Sequence, residues 1–88
     1  MLNLTHDTFA ETIFTTNKPF FVQFSADWCS VCKDLHPMIE QLEQEYQNQV
    51  TFVKIDVDTD ADLADQFKID KLPTFLLFKD REIVDCIV

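Results

Sequence analysis

Apolar and polar positions follow distinct rhythms along the chain. Phe20-Phe21-Val22-Gln23-Phe24 and Phe75-Leu76-Leu77-Phe78 are almost wholly apolar on both faces, which predicts strands covered from two sides. Val50-Thr51-Phe52-Val53-Lys54-Ile55 puts Phe52 on one face and Val53 and Ile55 on the other, the period of another strand. From Cys29 onward, Val31, Leu35, Met38, Leu42 and Tyr46 recur at steps of four, three, four and four, the spacing of one face of a long helix. Pro37 falls inside that helix, where its missing N–H and its clash with the Lys33 carbonyl predict a kink.

Shorter signals complete the order. Residues 2–4 read as a short strand, and Thr5 can cap a helix that buries Phe9, Ile13 and Phe14 and ends near Asn17. Residues 60–67 read as a short helix, and Lys79-Asp80-Arg81 as a tight turn that returns the chain as a strand over residues 83–88. The sequence β-α-β-α-β-α-β-β places parallel crossovers first and an antiparallel hairpin last, an α/β arrangement with a mixed central sheet and helices on both faces. No repeat, low-complexity tract or linker interrupts it. Residues 1–88 read as a single domain, because a chain of this length hides only roughly 60–65% of its unfolded surface and cannot furnish two cores.

Composition narrows the function. Sixteen acidic against seven basic side chains give a formal charge of −9, which repels phosphate backbones and anionic lipid heads and argues against nucleic-acid or membrane partners. No stretch approaches the roughly 20 apolar residues of a membrane span, and the amino-terminal stretch lacks a basic region followed by an apolar run. A cytoplasmic protein is the expectation. The chain has no glycine, so any turn that needs positive φ must use another residue.

The candidate chemistry lies in ADWCSVCK, where Cys29 and Cys32 stand three apart at the expected start of the long helix. Thiol–disulfide exchange needs one thiol ionised near neutrality and a second within reach to resolve the mixed disulfide. A sulfur beside the unpaired N–H groups at a helix start is favoured as thiolate, enough to bring a free thiol from about 8.5 toward 7. On that reading Cys29 attacks and Cys32, nearly one turn further in, resolves. A closed metal site is the competing reading, but it wants four ligands. His36 would make only a third, and His6 and Cys86 are not expected to converge there, so neither metal nor cofactor is expected. His36 reads as an exposed helix residue and Cys86 as a packed apolar thiol in the last strand. Asp56 to Asp62 is no calcium loop, because Ala61 and Phe67 occupy the positions of the obligatory Gly and Glu.

Taken together, these features resemble the thioredoxin family: a strand ending in Trp28-Cys29-x-x-Cys32, a long helix with Pro37, Lys54 and Asp58 spaced as Lys-x-x-x-Asp, and Leu72-Pro73-Thr74 before an apolar strand. The resemblance covers essentially the whole chain. It implies a thioredoxin-like fold, a cis bond before Pro73, and a shallow groove walled by Trp28 and Leu72 where an extended peptide lies, with Pro73 keeping metal from the cysteines. It also implies protein disulfides as substrates and a thioredoxin-reductase-type electron donor.

Three departures matter. Ser30-Val31 stands where thioredoxins usually carry Gly-Pro, which points to a less negative reduction potential. Gln23 stands where the resemblance implies a buried acid that serves as base for the deeper cysteine; an amide cannot titrate, and such help is typically worth 10²–10⁴-fold. Lys54 then faces an amide, leaving solvent or Asp56 as its partner. The chain also ends without the last helix of the family, which would expose Ile83, Cys86 or Val88 and leave that strand open to pairing in a dimer. The function expected is a protein-disulfide reductase working through Cys29 and Cys32; the alternative is a thioredoxin-fold binding module that uses its cysteines little.

Overall fold

The computed structural model describes residues 2–15 and 18–88, without the side chains of Leu2, His6 and residues 13–15. The elements are β1 (Leu2–Asn3), α1 (His6–Thr15), β2 (Phe20–Ser25), α2 (Ser30–Tyr46), β3 (Thr51–Asp56), α3 (Ala61–Gln66), β4 (Thr74–Lys79) and β5 (Glu82–Ile87). Phe9 on α1 is buried; the expected burial of Ile13 and Phe14, and the expected helix end near Asn17, lie outside the described residues.

The strands form one five-stranded sheet in the order β1-β3-β2-β4-β5. β1, β3 and β2 run parallel, whereas β4 is antiparallel to β2 and β5 to β4. β2, almost wholly apolar apart from Gln23 and Ser25, is central, as its pattern predicts. Alternation along the strands divides the core in two. Phe20, Val22 and Phe24 of β2, Val53 and Ile55 of β3, and Leu76 and Phe78 of β4 join Phe9 of α1 and Leu63 of α3 in one cluster. On the opposite face Phe52 and Phe75 pack with Ile39 of α2, and Phe21, Leu35 and Leu42 close around them. Phe24 has no accessible surface, and truncating it to Ala would cost about 3–5 kcal/mol.

α2 runs without interruption through Pro37 from Ser30 to Tyr46. Positive φ falls on Lys68 (55°), Asp80 (53°) and Arg81 (70°). Lys68 follows α3 as its left-handed stop: its N–H bonds the Asp65 carbonyl, and that of Ile69 bonds Ala64, an arrangement that usually selects Gly. Asp80 and Arg81 make the two-residue turn between β4 and β5, whose handedness matches the strand twist. A register shift at Leu77/Phe78 leaves Val84 as the extra residue of a bulge.

β5 decides between the two expectations for Cys86. Cys86 is an exposed free thiol, as expected where no helix covers the strand, and not a packed one, because β5 is an edge strand exposed at every residue. Ile83 and Val88 are exposed with it. Among the described residues no helix is long and apolar enough to cross a membrane.

Candidate active site

The carboxyl end of β2 delivers the chain to the start of α2, and the cysteines sit at that junction. Cys29 is the N-cap residue, extended at φ −81° and ψ 102°, and its Sγ accepts the N–H of Cys32 at 3.2 Å. The helix therefore starts at Ser30, one residue after the predicted position, and the Cys29 sulfur serves as its cap. N-cap side chains commonly accept such N–H groups; here the acceptor is sulfur. The first turn of α2 holds no acidic residue, so no carboxylate on that turn offsets the positive helix end.

Cys29 and Cys32 are joined by a disulfide with their Cα atoms 5.3 Å apart, inside the usual range. Both side chains are equally buried, at 5% exposure, so burial does not rank them. What each side of the bond faces does distinguish them.

In front lies a groove of about 180 Å³ lined by Trp28, Val57, Ile69, Asp70, Lys71 and Leu72. Val57 and Leu72 also pack against Ala26 and the two cysteines, so the groove floor reaches the disulfide. Trp28 is 68% exposed, yet its Nε1–H donates to Asp58 Oδ2 at 2.8 Å, which fixes the indole over the groove. Asp56 Oδ1 accepts the N–H groups of Asp58 (2.8 Å) and Thr59 (3.3 Å) and shapes the turn that carries Asp58. The Leu72–Pro73 bond is cis; Pro73 is half-buried and is not among the residues lining the groove. Thr74 is buried, and its hydroxyl donates to the Lys71 carbonyl.

Behind lies a polar cavity of about 220 Å³ lined by Gln23, Ser25, Ala26, Asp27, Cys32, Lys33, His36 and Lys54. Cys32 lines it and Cys29 does not. Gln23 on β2 and Lys54 on β3 are register partners, and both face this space. Gln23 Oε1 and Ser25 Oγ are buried without a hydrogen-bond partner. Among the described residues no cluster of three or more His, Cys, Asp or Glu could hold a metal ion.

The thioredoxin family pattern matches residues 1–88. The chain belongs to the thioredoxin family. It is 38% identical over 87 residues to a thioredoxin of Mycobacterium bovis, covering 99% of this chain and 75% of that one. A chloroplastic thioredoxin X of Arabidopsis thaliana is 44% identical over 76 residues, or 86% of this chain and 42% of the relative. The crystal structure of a Nicotiana alata thioredoxin superposes with a TM-score of 0.92 at 34% identity, over 99% of this chain and 78% of the other. Membership of this family makes the chain a thiol–disulfide oxidoreductase, and Cys29 and Cys32 form its disulfide at CxxC spacing.

Of the residues expected from the sequence, Cys32, Gln23 and Lys54 meet at the rear cavity and Trp28 and Leu72 at the front groove, whereas Cys29 lines neither and Pro73 lies outside the groove lining. Sequence reasoning missed Asp58 as the group that holds Trp28, Ser25 as a second unpaired oxygen, and His36 as a cavity wall. The signal for His36 was present in the four-residue step from Cys32, which keeps both on one helix face.

Proposed function

We propose that this thioredoxin reduces or exchanges disulfides of other proteins, with Cys29 as the attacking sulfur and Cys32 as the resolving one. The observation that carries the assignment is the position of Cys29 Sγ at the N-cap of α2, accepting the Cys32 N–H, beside a groove open to solvent. A thiolate there gains both the N–H bond and the helix dipole.

An extended substrate segment lies along the Trp28–Leu72 groove, with Pro73 beside it, and presents its disulfide to Cys29. The Cys29 thiolate forms a mixed disulfide, and Cys32 then displaces the substrate thiol and closes the bond seen here. Two electrons pass from the dithiol to the substrate. A thioredoxin-reductase-type donor restores the dithiol; a Mycobacterium leprae relative named bifunctional thioredoxin reductase/thioredoxin, 37% identical over 87 residues but only 19% covered by this chain, supports that pairing. Such a cycle suits a reducing compartment such as the cytoplasm.

Insulin reduction driven by dithiothreitol tests the assignment. The wild-type chain accelerates it well above the uncatalysed rate, and Cys29→Ser returns it to background. Insulin binding without acceleration would instead identify a binding module.

A further inference from the structure

Among the described residues lining the polar cavity behind the disulfide, one carries an imidazole. His36 stands one helical turn after Cys32 and lines the same cavity. Its Nε2 lies 2.7 Å from Glu40 Oε1, one turn further on. A carboxylate only accepts, so in the neutral ring this contact places the proton on Nε2 and leaves Nδ1 as the basic nitrogen. Gln23 and Ser25, both buried, contribute an amide oxygen and a hydroxyl oxygen that lack partners. A cavity of about 220 Å³ with such walls is roomy and polar enough to take up water, whose share of the liquid is about 30 Å³. The other charged groups facing it are Asp27 from the β2–α2 connection, Lys33 on α2 and Lys54 on β3. Lys33 and Lys54 accept no proton in their ordinary charged form. Asp27 is exposed and stands on the connection before α2, not on the helix face that carries Cys32 and His36.

We propose that His36, acting through water held between Gln23, Ser25 and Cys32, is the general base that takes the Cys32 proton when the mixed disulfide is resolved. The proposal rests on the oxidoreductase assignment and supplies the base that an amide at position 23 cannot. The Cys32 thiol proton passes by way of water to His36 Nδ1. The Cys32 thiolate attacks Cys29 Sγ; the Cys29–Cys32 bond forms and the bond between Cys29 and the substrate sulfur breaks. The electron pair leaves on the substrate sulfur, which takes a proton from solvent. The imidazolium, 48% exposed at its side chain, returns its proton to solvent. Glu40 is a positioning residue that fixes the ring and its tautomer.

Stopped-flow reaction of the reduced chain with dithiobis(nitrobenzoate) separates the steps. The first thiol chromophore is released when Cys29 is captured, and the second when Cys32 resolves the adduct. Cys86→Ser serves as background, because that exposed thiol also reacts. The second phase of the parent rises through the pH range where imidazole loses its proton. His36→Gln, at an exposed position, leaves the first phase intact, slows the second about 10–100-fold and removes that inflection. Added imidazole restores the rate of His36→Ala. Glu40→Ala slows the second phase, and Glu40→Gln, which keeps an acceptor oxygen, recovers it. A His36→Gln protein whose second phase keeps its rate and pH profile overturns this proposal alone. A parent without a second phase overturns the oxidoreductase assignment with it.

Discussion

The two sides of the disulfide are built from opposite materials. The front groove has Trp28, Val57, Ile69 and Leu72 with only Asp70 and Lys71 as polar walls, whereas the rear cavity has Ala26 and Cys32 among six polar or charged residues. The difference follows from strand alternation. Phe21, Gln23 and Ser25 share the face of β2 turned toward α2, and Phe52 and Lys54 share that of β3. Deep along α2 those positions are apolar and pack on Ile39; near the cysteines they turn polar and stop short of close packing. An apolar groove and a polar cavity are thereby placed on separate sides of one bond.

Substitutions can break that division, and the largest effect falls on the bond itself. Cys29→Ser abolishes turnover, while Cys32→Ser keeps the first half-reaction and accumulates a covalent adduct with substrate, which non-reducing mass spectrometry detects as added mass. On the front side, Trp28→Ala removes an exposed apolar wall; losses at such anchors reach about 2 kcal/mol, or roughly 30-fold in kcat/KM for a protein disulfide, with little change toward a small aromatic disulfide. If both substrates lose equally, the indole acts on the cysteines and not on recognition.

On the rear side, Gln23→Asp provides a second base and accelerates resolution, by about tenfold in single-turnover insulin reduction. The same change alters stability with pH. Gln23 is 2% exposed, and a carboxyl buried there has its folded pKa raised above the unfolded value of about 3.9. Its stabilising share is present at low pH and is lost as pH rises through the folded pKa, so the variant loses stability toward neutrality relative to Gln23. Thermal denaturation across that range measures it; a flat difference would mean that the carboxylate is matched by Lys54.

Much of this was legible before the fold. The largely apolar runs of β2 and β4 identified the inner strands, and the steps of three and four after Cys29 identified α2, because periodicity reports burial directly. The absence of glycine announced that positive φ would fall on Asn, Asp or strained residues, and it falls on Asp80 and on Lys68 and Arg81. Cys86 drew two readings because the Ile/Val pattern of β5 is that of a half-buried strand, while its exposure depends on which elements lie over it. The groove and cavity were legible only as residues. Asp58 holding Trp28 spans 30 positions, and Gln23 faces Lys54 through strand register; neither relation has a local signature. His36 looked like an exposed helix residue and is one, and its place in the wall of the rear cavity appears only once β2 is placed behind it.

The central claim is that Cys29, as cap of α2, is the acidic and reactive thiol. The direct measurement is the rate of iodoacetamide alkylation against pH on the reduced Cys86→Ser protein, with the modified residue located by mass spectrometry. The expected result is modification confined to Cys29 with an inflection near or below pH 7. An inflection near 8.5, the value of a free thiol, or equal labelling of Cys32, would contradict it.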